Sequence, residues 1–449
     1  MPISPARAAA FEILLKVGRE NSYASELLHS PRFAKLSAAD HGLATELTMG
    51  ILRWQAFLDY TLAPASSQQL VKLDVEVLIA LRLGLYQLRF LSRVPAHAAI
   101  FESVELVKSA RKKSASAFVN AVLRKLVNKE EKSTSEDARL ATIAASANSA
   151  TLAENSSHPE WLVDRWVRHY GLEAARIVCA HNQSAPPISI HVYDDLALAE
   201  LEQSGIKLAP GRILSSARTV VSGDLTATDV YRRGRIAIQD EASQLVAMLV
   251  GCGESILDCC AAPGGKTALL AQRNSAAQIF ATELHPHRAR LLRRLARLSN
   301  VRVIASDARA LPFSKGFDRV LADVPCSGTG TLARNPEIKW RLQTADLADL
   351  QSRQIAILKS ALSHLAAGGR LVYSTCSLEQ EENEAVVEAA LESASGFKIA
   401  DCRDELKHLR QSSELLADDV DSLLAGPHLR TIPGRYPCDG FFAAIIERI

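Results

Sequence analysis

The stretch SILDCCAAPGGKT, residues 255–267, decides the fold of this chain. A short apolar run, Ile256 and Leu257, meets an acid and two cysteines. It then turns through Pro263, Gly264 and Gly265 into a segment that reads as a helix over 266–273. A buried parallel strand, a glycine turn and a helix start are how α/β folds bring backbone N–H groups beside a ligand. Gly264 and Gly265 remove side-chain bulk, so a ligand can approach the main chain closely. The GxxxxGK[ST] spacing of a phosphate loop is missing.

From residue 239 onward, strand-like runs alternate with helical segments. The runs lie at 255–259, 278–283, 301–306, 317–323, 369–375 and 441–447. This alternation predicts a parallel sheet covered on both faces. The last run, FFAAIIE, has no helix after it and reads as an antiparallel addition.

Four of the strands end in, or lead into, an acid: Asp258, Glu283, Asp307 and Asp323. In an open parallel sheet the carboxyl ends of the strands line the ligand crevice. An acid after the second strand suits a ribose hydroxyl pair, because a carboxylate accepts two hydrogen bonds at once. Any one of the four also reads as a helix cap. Four at one edge favour a ligand. Their spacing fits a nicotinamide cofactor or S-adenosylmethionine, and the absence of GxGxxG argues against a dinucleotide.

Two cysteine motifs share that edge. Asp323-Val-Pro-Cys326-Ser-Gly-Thr-Gly330 follows the fourth strand, and Ser374-Thr-Cys376-Ser377 the fifth. A free cysteine is often a small core residue. Each of these, however, follows a strand directly and is flanked by small hydroxyl residues or glycine. Two thiols at one pocket suit a nucleophile with a helper. Carbon 5 of cytosine is a poor nucleophile toward a methyl sulfonium, and a thiolate added at carbon 6 makes it enamine-like. A base must then remove the carbon 5 proton so that the thiol is expelled. An acid near the ring nitrogens, here Asp323, stabilises the charge that develops.

Residues 1–130 place apolar side chains at helical spacing, as in Ala9, Ile13 and Val17, between short Gly, Pro and Ser breaks. Short loops between amphipathic helices predict a bundle. Its last two helices and their loop carry Lys108, Arg111, Lys112, Lys113, Arg124, Lys125 and Lys129 against Glu102 and Glu105. Such a run reads as a solvated face or as a phosphate-binding patch. Residues 131–157, rich in Ala, Ser, Thr and Asn, are expected to form a linker with at most a loose helix. Residues 158–238 read as a small α/β unit, with helices at 158–170 and 172–181 and strands at 186–192, 219–222 and 235–239. Residues 239–449 complete the chain as a third domain. Within it Arg290, Arg293, Arg294 and Arg297 share a helical face opposite Leu291, Leu295 and Leu298. That face is either simply exposed or attracts a polyanion.

The 449 residues are 48% hydrophobic and 23% charged with a formal net charge of +2, as in an ordinary soluble protein. This balance neither demands nor excludes a nucleic-acid partner. No apolar stretch approaches the roughly 20 residues of a membrane span, so no membrane association is expected. Charges inside the first apolar run are unlike a signal peptide. Eight cysteines without CxxC and twelve histidines without an HxxxH-type cluster argue against a disulfide framework and a structural zinc site; no metal is expected. The expectation is a cytoplasmic monomer with reduced thiols.

CCAAPGGKT, the Asp323 to Gly330 motif, and Tyr373-Ser-Thr-Cys-Ser-Leu with Glu381-Glu382-Asn383-Glu384 after it resemble the RNA cytosine-5 methyltransferases of the Nol1/Nop2/Sun family. The helical N-terminus is similar to the NusB-type RNA-binding module fused to the small-subunit ribosomal RNA member of that family. The likeness extends through Arg334-Asn-Pro-Glu-Ile-Lys-Trp and Asp439-Gly-Phe-Phe. It implies an α/β Rossmann-like, S-adenosylmethionine-dependent methyltransferase domain. With this go an all-α NusB-like N-terminal domain and a small α/β connecting domain for RNA recognition. It further implies Cys376 as the attacking thiolate, Cys326 as the residue that assists release, and Asp323 at the target base. Cys260, Ala261, Ala262, Pro263, Gly264, Gly265, Lys266, Glu283, Asp307 and Asp323 would line the S-adenosylmethionine pocket. The family often carries Asp at the position of Glu283. The implied activity is formation of 5-methylcytosine in 16S ribosomal RNA of the small subunit. The alternatives are the same chemistry on transfer RNA and a non-catalytic RNA-binding scaffold. Both cysteines and the glycine turn are intact, which favours the enzyme.

Overall fold

The computed structural model describes residues 3–20, 22–127, 136–295 and 299–449, with the backbone alone at 294 and 295. The chain forms two compact units. The first takes in Met1–Ala185 and Leu332–Arg341, the second Pro186–Thr331 and Leu342–Ile449.

The first unit is helical. Its longer helices are Pro5–Glu20, Ala38–Arg53, Val75–Phe90, Ala96–Ser109 and Ser116–Val127. The helix Val75–Phe90 buries residues around most of its circumference, including Ile79, Leu81, Leu83 and Leu85, so it reads as apolar throughout. The segment expected to be a linker instead carries two helices, Glu136–Ala144 and Ser149–Ser156. Its composition misleads because alanines let helices approach with little bulk, and Ile143 and Leu152 suffice to anchor them, both fully buried. Asn148 and Thr151 close a capping box: the Thr151 N–H donates to Asn148 Oδ1 at 2.9 Å, and the Asn148 N–H to Thr151 Oγ1 at 3.2 Å. The next element, Glu160–Gln183, runs on as one helix interrupted at Gly171, whose φ of 82° only glycine adopts easily. These are the two helices expected at 158–170 and 172–181. They pack with the first unit.

Leu332–Arg341 joins this unit from far along the chain. Lys339, 1% exposed, donates from Nζ to the carbonyls of Arg53 and Ser157, each at 2.8 Å. Trp340 Nε1 donates to the Leu52 carbonyl at 2.6 Å, and Glu337 Oε1 accepts the Ala24 N–H at 2.7 Å.

The second unit opens with an antiparallel sheet of β1 (Ile188–Val192), β2 (Lys207–Pro210), β3 (Ala217–Ser222) and β4 (Ile236–Ile238), in the order β2-β3-β1-β4. The helix Asp195–Gln203 covers it, packing Ala197 and Leu201 with Ile190 and Ile236. β2 has four residues and ends in proline, too little to show a period. The buried carboxylate of Glu241 accepts the N–H groups of Ile213 at 2.7 Å and Leu214 at 2.9 Å. It thereby fastens the loop after β2 to the helix Glu241–Leu249.

The large sheet follows. β5 (Ser255–Asp258), β6 (Gln278–Glu283), β7 (Val301–Ala305), β8 (Phe317–Asp323) and β9 (Leu365–Thr375) are parallel, in the order β9-β8-β5-β6-β7. β10 (Phe397–Ala400), β11 (Leu424–Ala425), β12 (His428–Arg430) and β13 (Phe442–Arg448) add an antiparallel part, with β13 beside β9. The antiparallel run FFAAIIE is therefore β13. β10 to β12 have two to four residues each and carry no readable alternation. Ile256 and Leu257 are fully buried on opposite faces of β5, Ile256 with Leu269, Leu270 and Ile279, Leu257 with Val320, Leu358 and Leu371. Each contributes roughly 1.5–3 kcal/mol of burial, which is why this strand reads as apolar without alternation. Among the described residues no helix is long and apolar enough to cross a membrane.

Replacing Lys339 by Met keeps the volume but leaves the Ser157 carbonyl without its donor and the Arg53 carbonyl with Gln183 Nε2 alone, at 3.0 Å. The expected cost is about 1–3 kcal/mol, read as a lowered urea midpoint for loss of helical circular dichroism; an unchanged midpoint contradicts it.

Candidate active site

β5 delivers Asp258 to its carboxyl end, and residues 259–264 turn into the helix Gly265–Arg273. Gly264 has φ 118°, and a Cβ there would lie 2.6 Å from Leu292 Cδ1, so the turn requires glycine. Asp258 Oδ2 accepts the Thr267 hydroxyl at 2.7 Å. Its Oδ1 is buried with no hydrogen-bond partner among the described residues. Burial pushes the Asp258 carboxyl up to about 7, with the charge of Asp323 acting in the same direction and the Thr267 hydrogen bond against it.

The other three acids stand at the carboxyl ends of neighbouring strands. Glu283, 5% exposed, closes β6; its Oε1 accepts the His285 N–H at 2.9 Å. Asp307 follows β7, caps the turn Ala308–Ala310 and pairs with Arg309 at 2.6 Å. That hydrogen-bonded pair holds its carboxyl below the usual range. The capping role open to any single acid is thus realised at Asp307. Asp323 ends β8, with Oδ2 2.8 Å from Lys266 Nζ and Oδ1 accepting the Ser374 hydroxyl at 2.7 Å. Lys266 Nζ also lies 4.9 Å from the centre of the Phe441 ring. Burial works to lower the Lys266 pKa, but Asp323 together with Cys376 and Asp258 outweighs it, and the ammonium is held above its ordinary value.

Strand register brings the two cysteine motifs together. Asp323 and Ser374 are direct partners on β8 and β9. Three residues beyond the first and two beyond the second, the sulfurs of Cys326 and Cys376 lie 3.3 Å apart. The Gly330 N–H donates to the Cys376 carbonyl at 2.9 Å, and the Gly440 N–H to the Gly330 carbonyl at 2.8 Å. A Cβ on Gly330 would sit 2.1 Å from the Gly440 oxygen, so glycine is needed at this crossing. The hydrogen bond to Cys376 raises the Cys326 pKa well above the ordinary value, and burial and the charges of Cys376 and Glu382 add to it. Burial likewise keeps Cys260 protonated, reinforced by Cys259, Asp258 and Asp323.

Ser374, Phe441 and Glu382 hold this site together and carried no separate signal in the chain. Glu382 belongs to an acidic run whose spacing does not reveal that its carboxylate, like that of Glu379, is fully buried. Among the described residues, no three His, Cys, Asp or Glu side chains gather as metal ligands would.

The basic runs are more restrained than their composition. Lys108 pairs with Glu105 at 2.7 Å, Lys112 with Asp74 at 3.0 Å, and Arg124 bonds Asn120 Oδ1 at 3.1 Å. Arg111, Lys113 and Lys125 are exposed, and Lys129 lies outside the described residues. In the helix Pro286–Leu295, Arg290 and Arg293 are exposed as expected. The apolar face is Ala289 and Leu292; Leu291, expected on it, is 48% exposed. One step along a helix turns a side chain by about 100°, and Leu292 rather than Leu291 points at the glycine turn. Arg297 and Leu298 lie outside the described residues, as do the side chains of Arg294 and Leu295.

A family model described as 16S rRNA methyltransferase RsmB/F matches residues 248–447. Models described as NusB family and as a Methyltr_RsmF/B-like, ferredoxin-like domain match residues 4–128 and 158–222. The probable ribosomal RNA small subunit methyltransferase B of Bacillus subtilis is 33% identical over 98% of this chain and 98% of its own length. The chain belongs to the RsmB/F family of methyltransferases. Ribosomal RNA small subunit methyltransferase B of Vibrio cholerae is 32% identical over 98% of the chain and 97% of its own length. Among solved structures, that of PH0851 covers 100% of both chains at 22% identity with a TM-score of 0.81, a likeness of fold. A methyltransferase homolog from Pyrococcus horikoshii is 25% identical over 66% of this chain and 97% of its own, with a TM-score of 0.54. This RsmB/F family member has the NusB and Rossmann-like methyltransferase domains that the resemblance implied, the latter with a mixed sheet, and its small α/β connecting unit is ferredoxin-like.

Asp258 gives the site a pH signature. Its carboxyl is raised from the unfolded value near 3.9 to about 7, so its contribution to stability is complete below about pH 4 and is lost as pH rises through 7. Asp258→Asn removes this loss. The stability of the variant relative to the parent chain is expected to grow by about 3 kcal/mol between pH 5 and pH 8, measured by urea unfolding without cofactor. A difference independent of pH contradicts it.

Proposed function

We propose that the protein methylates carbon 5 of a cytosine in small-subunit ribosomal RNA through a transient bond between Cys376 and carbon 6. The observation that carries this reading is the 3.3 Å approach of two thiols beside the Lys266 and Asp323 pair. The names of the full-length relatives support the substrate class.

The glycine turn, the bare Asp258 Oδ1 and the acids at the strand ends fit a ligand rich in hydroxyl and amino donors. Cys260, Ala261, Ala262, Pro263, Gly264, Gly265, Lys266, Glu283, Asp307 and Asp323 would hold S-adenosylmethionine. When bound, it supplies an electrophilic methyl group.

The chain's own residues do the rest. The Lys266 ammonium is held above its ordinary value in part by the charge of the Cys376 sulfur, so the lysine and the nucleophile act on one pocket. The Cys376 thiolate forms a bond to carbon 6, and the displaced π electrons give carbon 5 the nucleophilicity to take up the methyl group. Asp323, fixed by Lys266 and Ser374, accepts from a ring nitrogen that takes a proton from solvent during the addition and returns it when Cys376 leaves, and so stabilises the protonated ring. While Cys376 is free, its hydrogen bond is the foremost reason that Cys326 keeps its proton. Bonding to carbon 6 makes that sulfur neutral, so Cys326 then releases its proton to solvent more readily. The Cys326 thiolate takes the proton from carbon 5. The freed electron pair restores the ring double bond and expels Cys376 as a thiolate, with one proton released overall.

The two thiols are therefore expected to fail differently. Cys376→Ala abolishes methylation and gives no protein–RNA adduct. Cys326→Ala blocks release and accumulates the adduct on a denaturing gel with labelled 16S ribosomal RNA; equal behaviour of the two variants overturns the assignment. Charge reversal at Arg290 and Arg293 is expected to weaken RNA binding and lower the slope of log affinity against log salt by about 2. An unchanged slope in a filter-binding titration assigns that face to solvent.

A further inference from the structure

A fully buried carboxylate behind the thiols has no part in the reaction as written. Glu382 is 0% exposed, and among the described residues no ion pair neutralises it. Its Oε1 accepts the Ser327 N–H at 2.8 Å and Gln354 Nε2 at 2.9 Å. Its Oε2 accepts the Ser327 hydroxyl and, at 2.5 Å, the Ser377 hydroxyl. Ser327 follows Cys326 and Ser377 follows Cys376; their two hydroxyl oxygens are 3.0 Å apart on this one carboxylate.

Taking a carboxylate out of water is costly unless hydrogen bonds replace its hydration. Here three of the four bonds that do so come from the two residues next to the thiols. The fourth, Gln354, also holds the carbonyl of Pro325, on the other side of Cys326, at 2.9 Å. Solvation of Glu382 and placement of the sulfurs are therefore one requirement.

We propose that Glu382 is the positioning residue of this site, a buried anionic clamp that sets the separation of the two catalytic sulfurs through Ser327 and Ser377. The inference rests on the two-thiol reading of the reaction and deepens it. An apolar or neutral group in that place could anchor one loop, but it could not accept from both serines and from the Ser327 N–H together. The negative charge also adds to the causes that keep Cys326 protonated before Cys376 is consumed.

The test uses the full chain and two readouts, one independent of methylation. Glu382→Gln is expected to lower kcat by up to about 100-fold, with the KM values for RNA and S-adenosylmethionine within about threefold. Diamide takes up the two thiol hydrogens as the sulfurs join, so the rate of disulfide formation between Cys326 and Cys376, followed by peptide mass spectrometry, reports their separation directly. That rate is expected to fall about tenfold in Glu382→Gln. The Ser327→Ala/Ser377→Ala variant should reproduce both effects, and adding Glu382→Gln to it should cost little more, as members of one unit do. Unchanged cross-linking in Glu382→Gln overturns the proposal, even where kcat falls. If Glu382→Gln does not fold, the serine pair carries the same test, with slower cross-linking in support and an unchanged rate against. Slower cross-linking alongside a parent chain that makes no 5-methylcytosine leaves the clamp standing and removes the reaction. Methylation with unaltered kcat and cross-linking in the variant removes the clamp alone.

Discussion

The register between β8 and β9 is the constraint on which the site depends. Asp323 and Ser374 sit opposite each other on these strands, and their hydrogen bond repeats the pairing at side-chain level. A slip of one residue would turn Ser374 to the other face of the sheet. It would also take Cys376 away from Cys326, because each sulfur is reached by a short walk from that pair. Parallel register is set by packing on both faces. Tyr373 and Phe442, both fully buried, meet edge to face on one side, while Val372 joins Leu321 on the other. The chemistry is thus placed by an apolar sandwich remote from any reacting atom.

Around that pair the polar groups form a graded set. Asp258 is buried and raised toward neutrality, Asp323 is held by an ammonium and a hydroxyl, and Asp307 lies at the rim beside a guanidinium. Glu382 is deep and uncompensated by any cation among the described residues. Four carboxylates within one domain therefore differ by surroundings rather than by type, which is how a single residue class can bind, stabilise charge and brace.

Much of this was legible in the residues. Strands with no alternation, such as SILD, FDRVLAD and QIFATE, are buried on both faces, and apolar continuity with a terminal acid is what that environment selects. Glycine turns and the two Cys-Ser steps also announce themselves, since each residue's size or reactivity is its function. What stayed hidden depends on distant partners. β10 and β12 are strands only because β13 offers an edge, and β11 only because β12 does. The helices Glu136–Ala144 and Ser149–Ser156 look like linker because their stability lies in a capping box and two buried side chains rather than in an apolar stripe. Glu382 looks like any acid in an acidic run, because a hydrogen-bond network closed over fifty residues leaves no local trace. The direction of Leu291 is hidden for a simpler reason: a face marked by four arginines fixes the apolar side only to within one residue.

The excursion of Leu332–Arg341 into the helical unit has a consequence for how this chain is made. Sequence continuity suggests that the helices could close as soon as they leave the ribosome, since domains are generally completed from the N-terminus onward. The carbonyls of Leu52 and Ser157, however, find side-chain donors on Trp340 and Lys339, and that of Arg53 shares Lys339 with Gln183. Until residue 341 has emerged, the N-terminal bundle has unmet polar groups and an open seat. The first domain to be synthesised is therefore among the last to be finished, and the segment that finishes it directly follows the Cys326 motif.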